Sequence, residues 1–302
     1  MDDARRQQAF EISRRYDLLR RDAAAQEQSQ LAALANEDSW PQWAAVVARF
    51  PHLSARNHLL VLAQRPQATL LLPATSWREV GRWPKRGSTA VRLWESRPVK
   101  DARNRRSTRQ AEILAPVFDV TQTDGEPVVM MPEPSLPAPG RAPRGMAAAL
   151  AEAAMVWDWR IESRPIPTEA APRLDSESRC ITADPAGDHL GHCAALVSAI
   201  TTAAAGGLVD VSGEHRAAVA AAAAAVVWAT YRFPAPTAVR PCPQWRSDPQ
   251  ALQAALDAAV GIGWHLTDTL AAHAVGTSAA TAGDAMPPPP KPPALVGLER
   301  SA

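Results

Sequence analysis

The sequence predicts an α+β protein of two domains joined by a proline-rich connection, on three observations. The chain has 302 residues, enough for two domains of ordinary size that each bury a core. Helical signals fill the stretch up to Pro66, and the pattern then switches to the strand-like alternation Ala90-Val91-Arg92-Leu93-Trp94-Glu95. Residues 125–145 hold six prolines and two late glycines, Gly140 and Gly145, the composition of a linker.

Residues 2–35 lack glycine and proline and are rich in Arg, Gln, Glu, Ala and Leu, which predicts one long helix. Its apolar positions Phe10, Ile12, Tyr16, Leu18 and Leu19 make only a short stripe, so much of it is expected in water. A second helix is expected from Ser39 as N-cap with Pro41 in its first turn, burying Trp40, Trp43, Val46, Val47 and Phe50. Pro51 ends it. Ser54 caps a third helix, with Leu59, Leu60 and Leu62 inward, that Pro66 stops. The strand at Ala90–Glu95 pairs with one from about Glu112 to Val120, and the basic connection between them, Arg97–Arg109, reads as a hairpin tip without core residues.

After the linker a helix is expected from Met146 to Trp157, then strands at Trp159–Pro165 and Arg179–Thr182. Three helical stretches follow, at about Asp188–Ala205, Gly213–Arg232 and Asp248–His273, and the tail from Met286 with its PPPPKPP run reads as polyproline-like and disordered. The expected organisation is an N-terminal helix (1–35), a first domain (36–128), a linker (129–145), a second domain (146–275) and the tail (276–302).

The net charge of +1 conceals an asymmetry: between Arg49 and Arg109 lie fourteen basic and three acidic residues, a balance of +11. Such a stretch suits a polyanion, whose counterions are released on binding. The three cysteines, Cys180, Cys193 and Cys242, are odd in number and show no CxxC spacing, which argues against a disulfide framework or a cysteine-built zinc site. No apolar run is long enough to span a membrane, and the charged first 25 residues do not resemble a signal peptide; a soluble cytoplasmic protein with no membrane partner is expected.

A single-stranded nucleic acid offers phosphate charge and exposed base faces, so its binders pair cations with aromatic platforms. Here Trp77, Trp83 and Trp94 lie among Arg78, Arg82, Lys85, Arg86, Arg92 and Arg97, with Gly81 and Gly87 allowing positive φ where the loop turns. Trp77 is expected in the core, Trp83 as the stacking ring in a loop, and Trp94 half exposed on its strand. Asn57 and Gln64, seven residues apart, share one helix face; they contact either DNA or neighbouring backbone. The expected nucleic-acid contacts, DNA contacts on the resemblance given next, are Asn57, Gln64, Arg78, Arg82, Trp83, Lys85, Arg86, Arg92, Arg97, Lys100, Arg103, Arg105 and Arg106. Thr121, Gln122 and Thr123 are expected to satisfy loop backbone.

Three blocks, SARNHLLVLAQRP (Ser54–Pro66), WREVGRWPKRG (Trp77–Gly87) and VFDVTQTDGEP (Val117–Pro127), resemble in order and separation the N-terminal single-stranded-DNA-binding domain of ArdC-like antirestriction proteins. The resemblance covers roughly residues 35–130. It rests on Ser54, Asn57, Gln64, Pro66, Trp77, Gly81, Arg82, Lys85, Gly87 and the run Val117–Thr123. It implies a second domain with a zinc-peptidase (zincin-like) fold, whose active helix reads HExxH. At that place this chain has Asp188-His189-Leu190-Gly191-His192: Asp188 stands for the first histidine and His189 for the catalytic glutamate. The next helix, which in the family supplies an acidic ligand, has none between Ala217 and Ala225.

Asp188 and His192 are therefore weak metal candidates, with Glu214 or His215 as an uncertain third, and no cofactor and no catalytic residue are expected. The reading is an ArdC-like DNA-binding domain followed by a degenerate zincin-like domain, a pseudo-metallopeptidase that binds single-stranded DNA in antirestriction or mobile-element (plasmid) DNA handling. Alternatives are a pseudo-peptidase that engages a restriction or DNA-processing protein directly, and a residual zinc metallopeptidase.

Overall fold

The structure, a computed structural model, describes residues 2–36, 39–100, 108–128, 142, 145–165, 172–185, 188–231 and 238–281. It divides into two compact units. The first takes in the described residues of 2–33 and 52–128, the second those of 34–51 and 142–281.

In the first unit, α1 (Asp2–Ala35) runs the expected length, and Phe10, Ile12 and Leu18 stand in water. Burial starts further along, on the face Ala23, Glu27 and Leu31, spaced four apart so that all three look the same way. Tyr16 belongs to this packing too: its hydroxyl accepts from Leu114 N at 2.8 Å. Helix α3 (Ala55–Gln64) starts at Ser54, whose hydroxyl accepts from Asn57 N, and buries Leu59, Leu60 and Leu62.

The main sheet is antiparallel, in the order β1 (Leu71–Pro73), β4 (Thr108–Asp119), β3 (Val91–Lys100). Both long strands reach beyond the expected alternation, with register from Val91↔Val117 to Lys100↔Thr108. Arg97–Lys100 and Thr108–Arg109 are thus ladder rather than loop. Residues 96–98 and 108–110 are exposed, so this part of the ribbon left no hydrophobic pattern to read. The tip, 101–107, lies outside the described residues.

A second ribbon pairs β2 (Arg82–Pro84) with β5 (Thr123–Gly125), and the short α4 (Ala74–Glu79) follows β1. Neither strand was expected; three-residue strands are too short for a period of two to show. Gly81 and Gly87 have φ of +71° and +84°, the freedom anticipated for them. Gly125, at φ +135°, is held harder still, because a Cβ there would stand 2.2 Å from Gly81 O.

In the second unit, α2 (Trp40–Arg49) buries Trp40, Trp43, Val46 and Val47 against α7 (Gly213–Thr230), whereas the sequence placed it with the first domain. Its amphipathic face announces burial but not the partner. Phe50, expected on that face, is half-buried. Helix α5 (Met146–Ala154) ends in a 3₁₀ turn, Met155–Trp157. A small sheet sets β8 (Cys180–Ala183) between parallel β6 (Arg160–Ser163) and antiparallel β7 (Arg173–Asp175), the last unanticipated.

Helices α6 (His189–Gly206), α7 and α8 (Pro249–Thr281) complete the unit. The alanines of α7 let α8 approach closely: a Cβ on Gly263 would meet Val226 at 3.0 Å. All three cysteines are free and buried. Among the described residues no helix is long and apolar enough to cross a membrane. The proline-rich tail from Met286 and residues 129–141 of the linker lie outside the described residues.

Candidate nucleic-acid interface

The polar residues that the sequence singles out in the first unit divide into those that build it and those left facing solvent. Asn57, 2% exposed, takes a hydrogen bond from Trp94 N at 2.8 Å and gives one to Trp94 O at 2.9 Å. Two turns on, Gln64 repeats the exchange with Arg92, taking from its N at 2.8 Å and giving to its O at 3.1 Å. β3 is an edge strand, and the two amides supply the ladder that a neighbouring strand would have made. Further out, Pro98 has no N–H to offer. Asn57 and Gln64 are thus corrected from DNA contacts to edge caps: both ends of each amide are committed.

Arg82 is corrected in the same way. Its guanidinium donates to Thr123 Oγ1 (2.8 Å), Thr123 O (2.7 Å), Gly125 O (3.3 Å) and Glu126 O, closing β5 onto β2, and it lies 6.0 Å from the centre of the Trp77 ring. Trp77 is fully buried, as expected, and its indole N–H donates to Phe118 O at 2.8 Å. Trp94 is not half exposed but 8% exposed. Arg56 and Arg20 cover its ring at 4.8 and 5.5 Å, and its indole N–H donates to Glu27.

The Val117–Thr123 run is a hub of the kind expected. Buried Asp119 accepts from Thr69 N (2.7 Å), Leu70 N (3.2 Å), Thr121 N (3.1 Å) and the Thr121 hydroxyl. Burial alone would raise its pKa; the hydrogen bonds from Thr121, Thr69 and Leu70 outweigh it and hold the carboxyl below the usual range. Gln122 accepts from Asp119 N at 3.0 Å and donates to Thr89 O at 2.7 Å, tying this turn to the segment before β3.

What remains outward is Trp83, 55% exposed, with exposed Arg78 and Arg86 nearby in sequence and Lys85 beside them. Trp83 sits on β2 opposite Asp124, so it is a strand residue rather than a loop one. Lys85 donates to Thr121 O at 3.0 Å and stands 3.5 Å from Asp124. Arg92 is half-buried on β3, and Arg97 is exposed and paired with Glu95 at 2.6 Å. Lys100 ends β3. Arg103, Arg105 and Arg106 lie outside the described residues.

Sequence reasoning passed over Arg65, which donates to Thr121 Oγ1 at 2.8 Å. With Lys85 it flanks a polar groove of about 570 Å³, reached also by Gln26, Gln64, Thr89 and Gln122. The residues come from four separate segments, so no local spacing could have announced the groove.

In the second unit, Asp188 is the N-cap of α6, not part of its body. Its carboxylate accepts from Gly191 N at 2.6 Å. His192 Nδ1 lies 2.8 Å from Asp184 O; a carbonyl only accepts, so Nδ1 carries the proton. Glu214 is exposed, and buried His215 accepts the Trp245 indole N–H on Nδ1 at 3.1 Å. Among the described residues no three His, Cys, Asp or Glu side chains come together as a metal site would need. The residues present do not fit the metal that the HExxH comparison implies.

No protein-family model matches the chain, and no curated protein does. Solved structures do match. The metal-free crystal structure of the antirestriction protein ArdC from plasmid R388 aligns over 83% of this chain and 98% of that one, with TM-score 0.53 and 14% identity. The Mn(II)-bound structure of the same protein aligns over 82% and 98%, with TM-score 0.54 and 13% identity. Identity this low speaks for architecture alone, and on it the chain has an ArdC-like fold.

Proposed function

We propose that the chain binds single-stranded DNA without catalysing a reaction on it, and that it does so in antirestriction or other handling of mobile-element DNA. The observation that carries this is Trp83. A large ring left 55% exposed, close in sequence to exposed Arg78 and Arg86, can stack on a base while cations meet the phosphates. The +11 balance over residues 49–109 supports the same partner, and the ArdC-like fold supports the setting, since ArdC is described as an antirestriction protein. The second unit serves this reading as a scaffold of zincin-like descent, a pseudo-metallopeptidase with Asp188 spent as a helix cap.

The test is Trp83→Ala with a labelled single-stranded oligomer followed by fluorescence anisotropy. Each stacked base is worth about 1–3 kcal/mol, so Kd should rise at least about fivefold with the fold intact. Unchanged affinity contradicts the assignment of Trp83. A second reading, a module that engages a restriction or DNA-processing protein, is favoured by Met155 and Val156, adjacent apolar side chains exposed at the end of α5.

A further inference from the structure

The groove beside Thr121 is polar and built from several segments. Arg65 at the C-terminal cap of α3 and Lys85 after β2 converge on it: Arg65 Nη2 donates to Thr121 Oγ1, Lys85 Nζ to Thr121 O. Each cation keeps more than a third of its side-chain surface in solvent, and these bonds engage only part of their N–H groups. Ser88 and Thr89 line the same space. On the wall from α1 stands Gln26, whose side-chain oxygen is buried and has no hydrogen-bond partner. An amide carries both an acceptor and two donors, the groups that pair with the edge of a base.

We propose that this groove seats one nucleotide of a bound single strand, its phosphate on Arg65 and Lys85 and its base edge against Gln26. The proposal rests on the single-strand reading and adds a second contact point apart from the stacking ring. Asp119 and Asp124 partly offset the two cations, at 3.7 Å from Arg65 and 3.5 Å from Lys85. The groove therefore favours a nucleotide, which also satisfies polar side chains, over a bare anion.

The experiment titrates labelled oligothymidylate, and an abasic phosphodiester oligomer of equal length, against the full chain and two variants, Lys85→Gln and Gln26→Leu. Lys85→Gln is expected to weaken both oligomers severalfold and to reduce the log–log salt slope by about 0.7, the loss of one phosphate contact. Gln26→Leu is expected to weaken oligothymidylate severalfold, leave the abasic oligomer and the salt slope unchanged, and melt no lower than the parent, since it removes an unsatisfied oxygen. Strand binding indifferent to both substitutions overturns the groove and leaves the single-strand reading standing. A parent protein that binds neither oligomer overturns both.

Discussion

Asn57 grips the main chain of Trp94 with both ends of its amide, and Gln64 grips Arg92 in the same way two turns along. Helix α3 is thereby stitched to the open edge of β3, and two residues that read as DNA contacts become part of the first unit's frame. Removing one amide leaves a buried strand N–H and C=O without partners. Asn57→Ala is expected to cost about 1–3 kcal/mol for each group left unsatisfied. Urea denaturation measures it, and protein that remains folded should bind single strands as the parent does.

Trp77 and Trp83 are expected to separate stability from binding. Trp77 is fully buried and its indole is bonded to Phe118 O, so Trp77→Ala should cost about 3–5 kcal/mol. Trp83→Ala, at an exposed position, should stay within about 0.5 kcal/mol of the parent. Paired thermal melts decide it; equal losses would mean that Trp83 packs rather than stacks.

Arg82 holds β5 through bonds to Thr123, Gly125 and Glu126, a fork that a lysine cannot reproduce. Arg82→Lys keeps the charge, so the expected result is lower stability with an unchanged salt slope for DNA. A reduced slope at unchanged stability would return Arg82 to the interface.

His215 predicts a pH dependence. Burial holds its imidazole below the usual value of 6.5, so the native state refuses a proton that the unfolded chain accepts. Stability is therefore full above pH 6.5 and falls as pH drops below it, by at most about 1.4 kcal/mol per pH unit for one proton. His215→Gln keeps an acceptor for the Trp245 indole, and its pH profile between 7 and 5 should be flatter than the parent's.

The long helices, the Ser54 cap, the core role of Trp77 and the exposure of Trp83 were legible in the sequence, because period, capping and composition are local signals; Ser39 stands at the N-cap position of α2, but its side chain makes no capping bond. The partners of each face were not. The seven-residue spacing of Asn57 and Gln64 puts both on one side of a helix, but only the fold shows that an unpaired strand edge lies there. The same limit explains Trp94, covered by Arg20 and Arg56 from distant segments, and α2, whose buried face meets α7 more than 160 residues along the chain. Asp188 kept the spacing of a ligand pair with His192 while its carboxylate went to the helix N-terminus.

Protein prepared without chelators is expected to carry no stoichiometric zinc by elemental analysis. Asp188 is occupied by Gly191 N–H, and Ala217–Ala225 offers no ligand on α7. One zinc per chain, lost on His192→Ala, would restore the metalloenzyme alternative.

The most direct test of single-strand binding is an anisotropy titration of the full chain with a single strand and with its duplex, at two salt concentrations. The account predicts tighter binding of the single strand, with log Kobs falling against log salt by about 0.7 for each phosphate contacted. No binding of the single strand at low salt, or equal affinity for the duplex, would contradict it.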